Sequence, residues 1–236
     1  GYAAYTLRPA APYEPTRYPA VPGLATSERS MENEHLAVTI ESNGSLSLLD
    51  KRTGQGYTRL LTYEDIADIG DGWYHGVAVN DRIFTSIATA ADVAVVSSGA
   101  HAATLAVTNH MEVPECFEFD TKMQRSRRTV PLKIENTITL RAGAAHIEIR
   151  TAIDNQVRDH RIRVLFDTNV QAETFRADSA FEVVERPIAL PRDNYTYKEL
   201  AVETTPQQNW TAVCDAQRGL AIVAPGLPES GVQDTP

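Results

Sequence analysis

Residues 129–168 read TVPLKIENTITLRAGAAHIEIRTAIDNQVRDHRIRVLFDT, and this stretch decides the fold. Leu132, Ile134, Ile138 and Leu140 fall on one parity, with Lys133, Glu135, Thr137, Thr139 and Arg141 on the other. After the break Ala142-Gly143-Ala144-Ala145 the pattern restarts, with Ile147, Ile149 and Ile153 set against His146, Glu148, Arg150 and Asp154. A third run follows Asp159, where Ile162, Val164 and Phe166 alternate with Arg161 and Arg163. Side chains alternate faces along a strand, so each run has one apolar and one charged face. An amphipathic helix would need apolar residues at three- and four-residue spacing, and these runs do not keep it. Three such runs with short breaks predict an antiparallel meander, one face on a core and the other toward water.

Outward from this stretch, the chain continues as short strands. Residues 1–30 hold Pro9, Pro12, Pro15, Pro19 and Pro22, and read as an opening strand followed by a proline-rich, semi-rigid connector. From 31 to 236 the pattern is that of one β-sandwich domain. Leu36, Val38 and Ile40 alternate with polar neighbours, and Asn43-Gly44, the preferred hairpin dipeptide, turns the chain into Leu46 and Leu48. From Leu60 to Ile69 the alternation stops, which suggests a helical turn or an acidic loop. Strands are expected at Gly76–Ile83, Val93–Ser97, Ala103–Val113 and Phe181–Val184, and a hairpin from Trp210–Cys214 and Gly219–Ala224. Pro114–Arg128 reads as a mobile loop carrying Arg125, Arg127 and Arg128. A dozen short strands without a long helix argue for an all-β antiparallel sandwich.

Composition narrows the partners. The chain has 236 residues, 42% of them hydrophobic, and a formal net charge of −9. That acidity disfavours nucleic acid and anionic membrane. No apolar run approaches the ~20 residues that span a bilayer. A start at Gly1-Tyr2, without an initiator Met or basic leader, suggests part of something longer. Two cysteines, Cys116 and Cys214, make no disulfide framework, so free thiols and a cytoplasmic location are expected.

No nucleophile motif, phosphate loop or metal-ligand spacing is present. The six histidines read as surface or packing residues. The chemically dense stretch is 64–75, EDIADIGDGWYH. Gly70 and Gly72 permit a tight turn that would present Asp71, Trp73, Tyr74 and His75 from one loop. Sugars are bound by such sets, an aromatic face stacking on C–H groups while carboxylate and imidazole take hydroxyls. An acidic surface loop anchored by Trp73 is the plainer reading. Asp65, Asp68 and Asp71 lack the spacing and terminal Glu of a calcium loop.

The same residues resemble the β-sandwich region that follows the catalytic domain in glycoside hydrolase family 38, the α-mannosidases. Gly1-Tyr2-Ala3-Ala4-Tyr5 is similar to the strand after the family's helical middle domain. The segment from Met31 to Leu36, through Asn43-Gly44-Ser45-Leu46 to Asp50-Lys51, resembles its first hairpin. The run 64–73 resembles its acidic Gly-Asp loop, where many members carry Tyr in place of Trp73. Asp159–Phe166, Ala177-Asp178-Ser179, Phe181–Pro187, Asn209-Trp210, Gly219-Leu220-Ala221 and Gly226-Leu227-Pro228-Glu229 resemble the strands that follow.

The resemblance implies a galactose-mutarotase-like supersandwich, incomplete in this chain. It also implies that the family's zinc, its aspartate nucleophile and its acid–base aspartate belong to an N-terminal α/β domain not represented here. No catalytic and no metal-binding residue is therefore carried over. Asp71, Trp73, Tyr74 and His75 are the candidate substrate-binding residues, since the family's acidic loop faces the catalytic pocket. The expected partners are the catalytic domain of the same chain and a mannose-containing glycoside, with homo-oligomerisation left open. A stand-alone carbohydrate-binding module and a purely structural interaction domain are the alternatives.

Overall fold

The computed structural model describes Ala4, Thr6 and residues 21–71, 75–196 and 201–233. The expected opening strand and most of the proline-rich connector lie outside these residues. In chain order the strands are β1 (Ser30–Glu32), β2 (Leu36–Ile40), β3 (Leu46–Asp50), β4 (Gln55–Ala67), β5 (Phe84–Thr85) and β6 (Ala91–Ser98). There follow β7 (Ala102–Pro114), β8 (Phe117–Glu118), β9 (Gln124–Arg125), β10 (Thr129–Arg141), β11 (Ile147–Asp154) and β12 (His160–Phe166). The last are β13 (Thr174–Asp178), β14 (Val183–Pro187), β15 (Thr205–Pro206), β16 (Trp210–Cys214), β17 (Gly219–Val223) and β18 (Glu229–Ser230). Two 3-10 turns, Ser86–Ala88 and Asn194–Thr196, are the other regular elements among the described residues.

Two sheets enclose the main core. One runs β1-β2-β3-β4-β12, with β5 added on β4, and the other runs β11-β10-β7-β6. All pairings are antiparallel, so the expected sandwich is what forms. β10 and β7 stay in register from Thr129↔Pro114 to Arg141↔Ala102. Their inward residues Leu132, Ile134, Ile138, Leu140, Leu105 and Val107 have no exposed surface. Each contributes about 1.5–3 kcal/mol by leaving water. A third sheet, β14-β13-β16-β17, has a small core of its own around Phe175, Ala177 and Val213.

The meander is only half right. β10 and β11 form the expected hairpin, but β12 crosses over and pairs with β4, from His160↔Ala67 to Phe166↔Leu60. Alternation reports which face is apolar and says nothing about the neighbour. β11 is consequently a sheet edge. Ile147 and Ile149 are half-buried against the core, and Ile153 is exposed.

The stretch in which alternation stops is neither helical turn nor loop but the greater part of β4. Arg59 and Leu61 have φ of 55° and 60°, and the pairing with β3 shifts between Leu46 and Leu48. That distortion turns Leu60, Leu61, Thr62 and Tyr63 inward one after another, which hides a strand from any period-two reading. Between β2 and β3, Gly44 is left-handed (φ 83°) while Asn43 is not, so the turn is not the mirror-image type that the dipeptide favours. The Gly44 N–H donates to Glu41 O at 3.0 Å, and the Asn43 side chain accepts from the Ser45 N–H at 3.1 Å.

Further along, Gly76–Ile83 carries no strand, whereas β6, β7, β14 and the β16–β17 hairpin lie close to where the pattern predicts them. Pro114–Arg128 is folded, through the β8–β9 hairpin, and is not a free loop. Cys116 and Cys214 are both free. No helix among the described residues is long and apolar enough to cross a membrane.

Central and edge positions should therefore respond differently to truncation. Ile138→Ala, at a site without exposure, should cost about 3–5 kcal/mol in a denaturant melt. Ile149→Ala, on the half-open edge strand, should cost about 1–2 kcal/mol. Equal losses would contradict the placement of β11 at the edge.

Candidate functional site

β4 ends at Ala67, and the segment beyond it is drawn into a closed loop. Asp68 Oδ1 accepts from the Gly70 N–H at 2.9 Å and the Gly76 N–H at 3.0 Å, and the Ile69 N–H donates to Gly76 O at 2.9 Å. The two arms touch so closely that a Cβ on Gly76 would stand 2.2 Å from the Gly70 nitrogen. Gly76 is thus the glycine this loop cannot replace, and the reason is close backbone approach. Gly70 does not adopt positive φ, so it serves the loop differently from the turn expected of it. His75 Nε2 stands 3.2 Å from Ala67 O, and the Ala67 N–H donates to Asp81 Oδ2 at 2.6 Å. With Nε2–H given to that carbonyl, Nδ1 remains as an acceptor.

Asp71 is on the exposed side of this loop, and His75 is half-buried at its root. Trp73 and Tyr74 lie outside the described residues. Asp71 and His75 thus belong to one cinched loop.

Beneath the loop is a feature the sequence reading missed. Among the described residues Asp65 is the one fully buried carboxylate. Arg125 Nη2 donates to Asp65 Oδ1, and His160 Nδ1 faces Asp65 Oδ2. The Arg125 and His160 side chains are 5% and 4% exposed. On its other side His160 Nε2 stands 3.0 Å from Asn155 Oδ1, which also accepts the Val157 N–H at 3.0 Å. Both imidazole nitrogens thus face side-chain oxygens. Arg125 also lies over the Phe84 ring, 5.3 Å from its centre, with Arg82 over the same ring at 5.1 Å.

The segments carrying these groups are joined further. Asp68 N–H donates to Asp159 O at 3.0 Å, Phe117 N–H to Asp159 Oδ2 at 3.2 Å, and Arg158 N–H to Glu115 O at 3.1 Å. Ala67, Ala78 and Phe117 close a small apolar cluster above, flanked by Ile69.

One expectation is corrected here. Arg125 belongs to no mobile loop, because the β8–β9 hairpin delivers it to a buried carboxylate. His160 is a packing histidine, one of the two cases expected, and not a surface one. It shares parity with Ile162, Val164 and Phe166, and that inward parity was the signal available. Nothing around Arg125 in sequence distinguishes it from Arg127 and Arg128, which are exposed.

With both its oxygens engaged by buried side chains, Arg125 and His160, Asp65 is not free to act on a sugar as nucleophile or proton donor. Among the described residues this loop carries a carboxylate at Asp71 and an imidazole at His75.

Residues 31–227 match the family description "Glycosyl hydrolases family 38 C-terminal domain". The chain belongs to glycosyl hydrolase family 38. It is 32% identical over 174 residues to a "Putative mannosylglycerate hydrolase" of Halalkalibacterium halodurans, a match covering 68% of this chain and 19% of that protein. An α-mannosidase from Enterococcus faecalis V583 has the same fold, with a TM-score of 0.83 and 31% identity over 89% of this chain and 25% of that one. A second family 38 protein of known structure from Enterococcus faecalis gives a TM-score of 0.81 and 30% identity, covering 93% of this chain and 26% of its own. This family 38 sandwich therefore spans about a fifth to a quarter of the relatives it matches.

Removing one partner of the buried set leaves an uncompensated charge without water. Arg125→Met should cost about 3–5 kcal/mol in a denaturant melt, whereas Arg127→Met, at an exposed neighbour, should stay within about 0.5 kcal/mol. Similar small losses for both would show that Asp65 is not held as described.

Proposed function

We propose that this chain is the non-catalytic sandwich of a zinc-dependent retaining α-mannosidase, bracing the catalytic domain and closing one side of its sugar pocket with the loop 68–76. The observation that carries this reading is the loop's construction. Its two described ends are cinched by Asp68 and Gly76 and footed on Asp65, Arg125 and His160, which supports a loop held firmly at its root. Asp71, Trp73, Tyr74 and His75 are the groups it would offer to sugar hydroxyls and C–H faces.

Retaining hydrolysis proceeds through a covalent glycosyl-enzyme and needs two carboxylates about 5–5.5 Å apart. In this reading both belong to the catalytic domain, as does zinc, which would polarise the sugar oxygens it binds. Among the described residues no three His, Cys, Asp or Glu side chains are grouped as a metal-donor set. The contribution of this chain is orientation of the bound sugar and exclusion of water. The domain division proposed is a connector over 1–30 and the sandwich over 31–236, in a parent enzyme of the cytoplasm.

A second reading of the substrate comes from the Halalkalibacterium halodurans relative, whose name specifies mannosylglycerate, a mannoside with a carboxylate on its aglycone. Comparing kcat/KM for an aryl α-mannoside and for mannosylglycerate in the full-length parent decides between a general and a charged aglycone.

The chain alone, assayed on an aryl α-mannoside with zinc, should be silent, while the full-length parent turns over. Zinc-dependent turnover by the chain alone would place the active site inside it. In the full-length enzyme, His75→Ala and Trp73→Ala should each lower kcat/KM by about 10–100-fold with the melting temperature nearly unchanged. Unaltered kcat/KM in both would remove the loop from the pocket and favour a purely structural domain.

A further inference from the structure

Two arginine side chains meet one ring beside the candidate loop. β5 lies against β4 with Phe84 directly across from Asp65. The buried Arg125 is 5.3 Å from the centre of the Phe84 ring, and Arg82, which is exposed, lies over the same ring at 5.1 Å. The attraction of a ring face for a cation restrains Arg82 without supplying a hydrogen-bond acceptor. The neighbouring carboxylates are committed elsewhere. Asp65 is engaged by Arg125 and His160, and Glu64 by Arg163. Asp81 accepts the Ala67 N–H on Oδ2 at 2.6 Å and the Arg82 backbone N–H on Oδ1 at 2.8 Å. Among the described residues no carboxylate pairs with the Arg82 guanidinium. Its location is fixed as well. Ala67, at the end of β4, holds Asp81 through its N–H, and its carbonyl O stands 3.2 Å from His75 Nε2. The candidate loop and the segment carrying Arg82 are therefore tied to the same residue.

We propose that Arg82 is a specificity-determining residue, which donates a two-point hydrogen bond to a carboxylate on the aglycone of the mannoside that the parent enzyme hydrolyses. The proposal rests on the charged-aglycone reading given under Proposed function and names the residue that receives the charge. A guanidinium presents a planar fork of N–H donors that matches both oxygens of a carboxylate. One already restrained by a ring loses little freedom when it binds. A neutral aglycone would gain no charge-assisted bond from this group. A carboxylate, approaching a chain of net charge −9, needs one to offset the repulsion.

The test compares mannosylglycerate with its methyl ester in the full-length parent, since the ester keeps the mannoside and the aglycone skeleton but removes the charge. Wild type should prefer the acid, and Arg82→Gln should shrink the acid-to-ester ratio of kcat/KM by about 10–100-fold. Arg82→Lys, which keeps the charge but not the fork, should recover part of that ratio. A ratio that Arg82→Gln leaves within about twofold overturns the proposal, and an equal fall for acid and ester makes Arg82 a support of the loop instead. Calorimetric titration of glycerate into the same protein, with glyceramide as control, separates this proposal from the α-mannosidase reading. Glycerate should bind and glyceramide should not, with the glycerate affinity lowered by Arg82→Gln. That binding in a parent that hydrolyses no α-mannoside would support the carboxylate site while removing the α-mannosidase reading. Hydrolysis of aryl α-mannosides with no preference for acid over ester would keep that reading and overturn the role of Arg82. Should Arg82→Gln not fold, the wild-type protein still decides, because absence of both the acid preference and glycerate binding overturns the proposal.

Discussion

A carboxylate with no exposed surface is the constraint from which the candidate site follows. Asp65 without cationic partners would face a desolvation penalty of several kcal/mol. Its partners come from two distant stretches, Arg125 from the β8–β9 hairpin and His160 from the first position of β12. Satisfying one side chain thus requires that β12 leave β11 for β4, and that the segment after β7 fold back as a hairpin. The backbone ties of Asp159 to Asp68 and Phe117 then complete the joint. The described ends of the loop, 68–71 and 75–76, stand on that joint rather than on the aliphatic core.

The aliphatic core has the other task. Leu105, Val107, Leu132, Ile134, Ile138 and Leu140 supply stability, but such side chains tolerate sliding. Register between the sheets is fixed by a few buried polar groups. Tyr63 on β4 donates its hydroxyl to Asn136 Oδ1 on β10 at 2.6 Å, and Thr151 on β11 donates to the same oxygen at 2.7 Å. Burial raises the Tyr63 hydroxyl above its ordinary titration range, keeping it a donor. Asn33, through two carbonyls, Arg141 O at 2.7 Å and Ala144 O at 2.8 Å, fixes the corner where β10 turns into β11. A one-residue slip would leave these groups unpaired in an apolar layer.

This division explains what could be read from sequence. Faces were legible, since alternation in β7, β10 and β11 is a direct imprint of one-sided burial. Neighbours were not, and β12 shows why: Ile162, Val164 and Phe166 would look the same beside β11 as beside β4. In β4, left-handed Arg59 and Leu61 erase the alternation itself. The stretch 64–75 was recognisable as chemically dense and by its likeness to family 38. Its foundation was not, because Asp65 reads as one acid among several and Arg125 as one base among three.

Preorganisation gives these observations a common direction. A loop that orients a sugar must hold its groups to within about 0.5 Å, and long polar loops on soft foundations do not. Here the backbone at Gly70 and Gly76 is in contact, the root is hydrogen-bonded through Ala67 to both His75 and Asp81, and the footing is ionic and dry. Arg125 Nη1 remains buried with no partner among the described residues, a real cost at the centre of the joint. A fold that served stability alone would do better with an apolar residue there, since replacing buried ion sets by well-packed apolar groups is often neutral or stabilising. What Asp65, Arg125 and His160 do under this one loop is tie its root, the end of β4, to the β8–β9 hairpin and to β12.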